Sequence, residues 1–197
     1  MATAGPRLGG PAFSGVVLAG GASTRMGVDK ALIDMGDRKL VELSTDALSR
    51  AGAAEVFVVG GSQVEIERLG LHWVRDQFPG EGPLGGVITG LDAAGEETVA
   101  VLACDHTHAS EDAVRAVVGT LGDSDGDVVV PVVSGVQQVL HAAWRRSVRA
   151  ALRGAFETGA RSVREGMKAL TIVELVDADP GWFDDADTPA DLPRRTL

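Results

Sequence analysis

Six short apolar runs, separated by stretches of helical periodicity, constrain this chain more than any other feature. The runs fall at 15–18, 55–59, 72–75, 98–103, 127–133 and 171–176, and the helical patterns at 40–51, 84–94, 110–121, 145–158 and 161–170. Strands joined by helices lie parallel, because each helix carries the chain back to the edge from which the previous strand started. The expected fold is therefore α/β, a mainly parallel sheet with helices on both faces. Ser110, followed by Glu111 and Asp112, reads as an N-cap with acids in the first turn, where the helix dipole favours them. The short 122–126 segment, GDSDG, reads as a loop rather than a linker.

In an open α/β sheet, ligands bind beyond the carboxyl ends of the strands, so the residues that follow each run form the candidate site. After the first run, Gly20 and Gly21 supply a turn whose backbone N–H groups can approach a phosphate chain, and Arg25 and Lys30 are close enough in sequence to offset its charge. This is the design of a triphosphate loop. It is neither of two common phosphate motifs: G-x-x-x-x-G-K-S/T would place Lys at position 28, which is Val28, and G-x-G-x-x-G is absent. After the third run stands Asp76, after the fourth Cys104-Asp105, and near the C-terminus Asp184, Asp185 and Asp187. Carboxylates facing a triphosphate repel it unless a divalent cation lies between them, and hard oxygen ligands suit Mg²⁺. Read from residues alone, Asp105 is either such a ligand or a helix N-cap, and Asp76 either a ligand contact or a turn residue.

Residues 18–32, LAGGASTRMGVDKAL, resemble the signature L-A-G-G-x-S-x-R-M-G-x-D-K-A-L of the nucleotidyltransferases that act on the molybdenum cofactor, the MobA-like family. The resemblance runs from about Gly15 to Leu192. It implies a Rossmann-like, glycosyltransferase-A-like nucleotidyltransferase fold. It also implies transfer of GMP from GTP to the terminal phosphate of molybdopterin, with loss of pyrophosphate. The double glycine after Ala19 is similar to the guanylyl-transferring branch rather than the cytidylyl-transferring one. Leu18, Ala19, Gly20, Gly21, Arg25 and Lys30 then hold the triphosphate, with Arg25, Lys30 and Asp105 as the catalytic set.

The same resemblance makes Asp105 the metal ligand at the fourth strand, joined by Asp187 from a segment, 185–192, that is similar to the family's N-x-N/D-T-P-x-D/E-L. Asp76 is implied to read guanine, and Gly82-Pro83-Leu84-Gly85-Gly86 to shape the base pocket. Residues 135–146, GVQQVLHAAWRR, resemble a family segment on the acceptor side, which nominates Gln138 and His141. Arg161-Ser162-Val163-Arg164 resembles the family's R-S-L-R, which nominates Arg161 and Arg164 for the acceptor phosphate. For His141 a structural hydrogen-bonding role, and for 161–164 a solvated helix start, are the competing readings. Three departures stand out: Gly60-Gly61 in place of an Asn, Val139 in place of Pro, and His106-Thr107-His108 after Asp105. An H-x-H pair without a third ligand does not make a transition-metal site.

Composition narrows the partners. A formal net charge of −10 opposes general affinity for nucleic acid or anionic membrane, so local cations must recruit any anionic ligand. With Cys104 as the one cysteine, no intrachain disulfide forms, in keeping with a reducing cytoplasm. No stretch approaches the roughly 20 apolar residues of a membrane helix. The expected organisation is a Gly, Ala and Pro-rich tail over 1–13 and a single domain over 14–197. GTP, molybdopterin or the molybdenum cofactor, and a protein that delivers the cofactor are the implied partners.

Overall fold

All six residues of the first strand, β1 (Phe13–Leu18), are buried, which explains why its sequence carries no polar alternation. A computed structural model describes residues 11–20, 30–105, 109–176 and 178–183. The order continues through α1 (Leu40–Ala51), β2 (Glu55–Val59), α2 (Gln63–Arg68), β3 (Trp73–Val74), α3 (Pro83–Ala93), β4 (Thr98–Ala103) and α4 (Glu111–Gly122). It ends with β5 (Val128–Val133), β6 (Val136–Gln137), β7 (His141–Arg145), α5 (Arg149–Glu157), α6 (Val163–Gly166) and β8 (Ile172–Leu175). The strands form one sheet in the order β3-β2-β1-β4-β7-β5-β6, with β8 paired to β5.

Pairings of β1 with β2 and β4, of β2 with β3, and of β5 with β8 are parallel. The mixed part comes from β7, which runs antiparallel to both β4 and β5, and from the β5–β6 hairpin. Successive residues of a strand face opposite sides, and β1 divides accordingly. Val16 and Leu18 join Leu84, Ile88 and Leu152 on the α3 and α5 side, whereas Phe13 and Val17 join Leu48, Val114 and Val117 on the α1 and α4 side. Helices therefore cover both faces, as the alternation of runs predicts.

Three expectations are corrected. Residues 145–158 are not one helix: Arg145 closes β7, Arg146–Val148 form a 3-10 turn, and α5 begins at Arg149. The Arg145 guanidinium donates to the carbonyls of Gly126, Leu121 and Ser124, so it serves the end of α4 and the following loop from a strand position. The 161–170 pattern yields only α6 and a 3-10 turn at Met167–Ala169. Tertiary packing decides this too, since a Cβ on Gly166 would lie 2.7 Å from Leu84 Cδ1. Finally, the core starts one residue before 14, because Phe13 belongs to β1 and is 4% exposed. Among the described residues, no helix is long and apolar enough to cross a membrane.

Candidate active site at the carboxyl edge of the sheet

At the end of β1 the chain stays bonded to both neighbours for one residue more. Leu18 O accepts from Cys104 N at 3.1 Å, and Ala19 N donates to Val59 O at 2.9 Å. Gly20 then leaves the sheet and meets Gly60, the residue after β2. Gly60 has φ +78°, and a Cβ there would lie 3.0 Å from Gly20 Cα and 3.1 Å from Gly20 N. Both the positive φ and the backbone approach require glycine at 60. Trp73 Nε1 donates to Gly60 O at 2.9 Å and holds this apposition. Gly60-Gly61, a departure when read as sequence, is thus the neighbour that brings the turn after β1 against β2.

Asp76 stands next to this glycine pair. Its Oδ2 lies 3.5 Å from the position of a Cβ on Gly20. Its Oδ1 is turned into the protein, accepting from Phe78 N at 2.9 Å and from the Thr89 hydroxyl at 3.4 Å. Asp76 is therefore a turn residue through one oxygen and a cleft residue through the other.

The second half of the site is built on β4. Asp105 follows the strand, and its Oδ2 pairs with Lys30 Nζ at 3.1 Å, joining groups 75 residues apart. The side chains are 20% and 27% exposed, so the pair sits at the cleft surface rather than in the core. Lys30 is carried by a 3-10 turn, Lys30–Leu32, anchored by the fully buried Ala31. The end of β4 is fixed from two sides, by Ser44 Oγ donating to Ala103 O at 3.1 Å and by Ala103 N donating to Leu140 O at 2.9 Å. The N-cap reading of Asp105 is excluded, because α4 is capped by Ser110, whose Oγ accepts from Asp112 N and Ala113 N.

Gly21, Arg25, Asp187 and its neighbour Asp185, and His106 and His108, lie outside the described residues. Among the described residues, no three His, Cys, Asp or Glu side chains converge on one point. The part-buried Asp105 carboxylate at the sheet edge nonetheless fits Mg²⁺, which usually takes one or two protein carboxylates and completes its shell with water and phosphate oxygens.

The 82–86 segment closes the site on the α3 side, chiefly by packing. Gly82 has φ +96°, and a Cβ there would lie 2.7 Å from Arg161 O. Pro83 occupies the first position of α3, where its missing N–H costs nothing, and Leu84 is fully buried. A Cβ on Gly85 would lie 2.7 Å from Phe78 Cβ, and one on Gly86 3.3 Å from Leu18 Cδ2. These glycines let α3 reach both the Asp76 loop and the end of β1.

The four residues nominated for the acceptor separate. Antiparallel pairing of β7 with β4 brings Leu140 alongside Ala103, and Gln138, two residues before it, is bonded through its N–H to Pro131 O at 2.8 Å. His141 is fully buried on β7 opposite Leu102. Arg161 pairs with Glu81 at 3.0 Å and lies 4.1 Å over the Phe156 ring, while its backbone carbonyl accepts from Leu84 N. Arg164 donates to Gln137 O at 2.7 Å and Gln137 Oε1 at 3.0 Å. Ser162 and Glu165 form a reciprocal capping box, so 161–164 is a helix start. The three N–H and O–H donors of that box, led by Ser162 N, hold the Glu165 carboxyl down at about 2.

The profile of the MobA-like NTP transferase domain matches residues 15–173. The chain belongs to this family. A probable molybdenum cofactor guanylyltransferase of Carboxydothermus hydrogenoformans is 36% identical over 132 residues, covering 67% of this chain and 65% of that protein. The crystal structure of molybdopterin-guanine dinucleotide biosynthesis protein A from Archaeoglobus fulgidus superposes with a TM-score of 0.76 at 20% identity, over 91% of this chain and 94% of that one. A 2-C-methyl-D-erythritol 4-phosphate cytidylyltransferase from Thermus thermophilus shares the fold at a TM-score of 0.70 and 20% identity, over 90% and 94% of the two chains. The architecture is that of nucleotidyltransferases.

The MobA-like match ends within β8, so it contains Gly20, Lys30, Asp76 and Asp105, and leaves 185–192 beyond it. Two contributors to this candidate site had no signal in the sequence. Gly60 looks like a lost polar contact until its approach to Gly20 is seen, and Thr89 is an ordinary mid-helix residue until its hydroxyl is found against the Asp76 turn. Only a predicted contact between the segments after β2 and β3 and the helix α3 could have singled them out.

Proposed function

We propose that this protein transfers GMP from GTP to the terminal phosphate of molybdopterin or the molybdenum cofactor, releasing pyrophosphate. The carrying observation is the Lys30–Asp105 pair at 3.1 Å on the same sheet edge as the Gly20–Gly60–Asp76 cleft. An acidic chain keeps a cation at the surface of a cleft whose floor is backbone and whose neighbour is a carboxylate oxygen. That arrangement suits a nucleoside triphosphate.

The acceptor is a phosphate monoester, largely dianionic at neutral pH because its second pKa is about 6. One of its oxygens attacks the α-phosphorus, the bond from that phosphorus to the bridging oxygen breaks, and the electron pair leaves on pyrophosphate. No general base is required. Rate then depends on alignment and on charge stabilisation. Leu18, Ala19, Gly20 and Gly21 line the phosphates with backbone, and Lys30 with Arg25 offsets charge on the departing pyrophosphate. Asp76 Oδ2, with two lone pairs, accepts from guanine's N1–H and 2-amino group, beside a wall formed by Gly82, Pro83 and Leu84. Asp105, with Asp187, would hold Mg²⁺, which would supply positive charge to offset that of the phosphates. Gln138 and the neighbouring Arg164 flank the acceptor side, with His141 supporting that wall from within the sheet and Arg161 holding the start of α3. The single buried thiol suits a reducing cytoplasm.

The test is pyrophosphate release with purified molybdopterin, Mg²⁺ and each of the four NTPs. GTP- and molybdopterin-dependent release supports the reading. Preference for CTP, or release only with a different phosphorylated acceptor, replaces it with a related transferase. Tight nucleotide binding without any release makes the protein a nucleotide-binding regulator.

A further inference from the structure

The Asp76 carboxylate has two oxygens with different fates, and two groups separate them, Phe78 N from the turn and Thr89 from α3. Thr89 is 1% exposed on that helix. Its hydroxyl oxygen accepts from Gln77 N at 3.1 Å, and its proton lies between Gly85 O at 2.9 Å and Asp76 Oδ1 at 3.4 Å. The Thr89 side chain thus pins the residue that follows Asp76 and touches the carboxylate itself. Phe78 N completes the arrangement by donating to the same Oδ1 at 2.9 Å. With Oδ1 held towards α3, Oδ2 is left facing Gly20.

We infer that Thr89 is a positioning residue for nucleobase selection: it fixes the rotation of the Asp76 carboxylate so that Oδ2 alone meets the base. The inference rests on the reading of Asp76 as the base-recognising residue. A carboxylate free to turn presents either oxygen at a range of angles, and matched donors lose more from poor alignment than mismatched ones. The rest of the loop is held independently of Thr89. Arg153 Nη2 donates to Gln77 Oε1 at 3.1 Å, Phe78 packs on Phe156 with ring centroids 4.5 Å apart, and Glu81 pairs with Arg161. Removing the hydroxyl therefore changes the turn at Asp76 without releasing the loop.

The experiment is calorimetric affinity for GTP, ATP, CTP and UTP, which needs no acceptor, on the full chain. The proteins are wild type, Thr89→Val, Thr89→Ser, Asp76→Ala and the Asp76→Ala/Thr89→Val double variant. Val matches Thr in shape without the hydroxyl, and Thr89→Ala replaces it if the Val variant does not fold. Loss of one hydrogen bond's worth of orientation lowers the preference for GTP in Thr89→Val by roughly five- to tenfold. Thr89→Ser restores the wild-type ratio, and Thr89→Val adds nothing in the Asp76→Ala background. An unchanged ratio in Thr89→Val while Asp76→Ala loses selectivity overturns the inference and leaves the Asp76 reading intact. So does an equal loss in both backgrounds. A wild type without base preference, or one whose preference survives Asp76→Ala, overturns the Asp76 reading and the inference with it.

Discussion

Lys30 and Asp105 carry the candidate site at the scale of single residues. Their separation of 75 positions hides the pair from any local pattern, although each was legible on its own. Lys30 lies within the run of matched residue types after β1, and Asp105 follows the fourth apolar run. What the sequence could not supply was their distance, because it depends on β1 and β4 lying side by side. The Lys30 side chain is part-buried, and its ammonium pairs with Asp105 at the cleft, so its charge is placed there. Lys30→Ala should keep the wild-type circular dichroism and melting temperature within a degree or two. It should lower turnover at saturating GTP by about a hundredfold, the scale of removing one preorganised group that stabilises developing charge. Near wild-type turnover would remove Lys30 from the catalytic set. Asp76 was legible as a polar residue at a strand end, whereas the division of labour between its two oxygens was not. That division is set by Phe78 N and Thr89, which belong to a turn and a helix rather than to the strand.

Helix α3 is the element on which the site leans, and its glycines record how tightly it does so. An ideal Cβ on Gly90 would lie 2.6 Å from Val16 Cγ1, 3.1 Å from Cγ2 and 3.4 Å from Cβ, so it meets the branched end of a short, fully buried side chain. Ala favours a helix interior over Gly by about 1 kcal/mol, and overpacking a core costs about 1–3 kcal/mol. The second effect wins. Gly90→Ala should destabilise the protein by roughly 1–2 kcal/mol in urea unfolding, and adding Val16→Ala should recover part of the loss. A neutral or stabilising Gly90→Ala would show that α3 can shift away from β1. The helix start at 161–165 offers a pH test. The Glu165 carboxyl falls from an ordinary 4.5 to about 2 when folded, because the capping box donates three bonds to its charged form. Its contribution is fully present above pH 4.5 and disappears as pH falls through about 2, since the unfolded chain takes up the proton first. The difference in melting temperature between wild type and Glu165→Gln should therefore be constant near neutrality and shrink below pH 4.5. A difference that persists unchanged at pH 2.5 would mean the capping box is not formed. Helices α1 and α4 matched their sequence patterns closely, whereas 145–158 and 161–170 did not, because Arg145 is drawn into β7 and Gly166 is pressed against Leu84.

Across the whole molecule, each central strand contributes alternate residues to both apolar clusters, so neither face can lose its helices without exposing the other side of the same strands. The domain from Phe13 onward should accordingly unfold as one unit, with far-ultraviolet circular dichroism and the fluorescence of the buried Trp144 changing together in denaturant. Two separated transitions would divide the chain into two domains. The sequence alone determined the α/β class, the positions of six of the eight strands, the turn after β1 and the polar residues Asp76 and Asp105 that follow two of the strands. These are local quantities: periodicity shows in a window of a few residues, and a motif shows in contiguous spacing. Only the tertiary structure decided that HAAWR is a strand running against its neighbours, since Ala and His have little preference for strands and β7 is held by its pairing with β4 and β5. It alone also decided that Gly60 backs Gly20 and that Arg161 is occupied by Glu81 and Phe156. Those outcomes rest on which distant segments come to lie side by side, and pairing of that kind is selected by the packing of the whole chain.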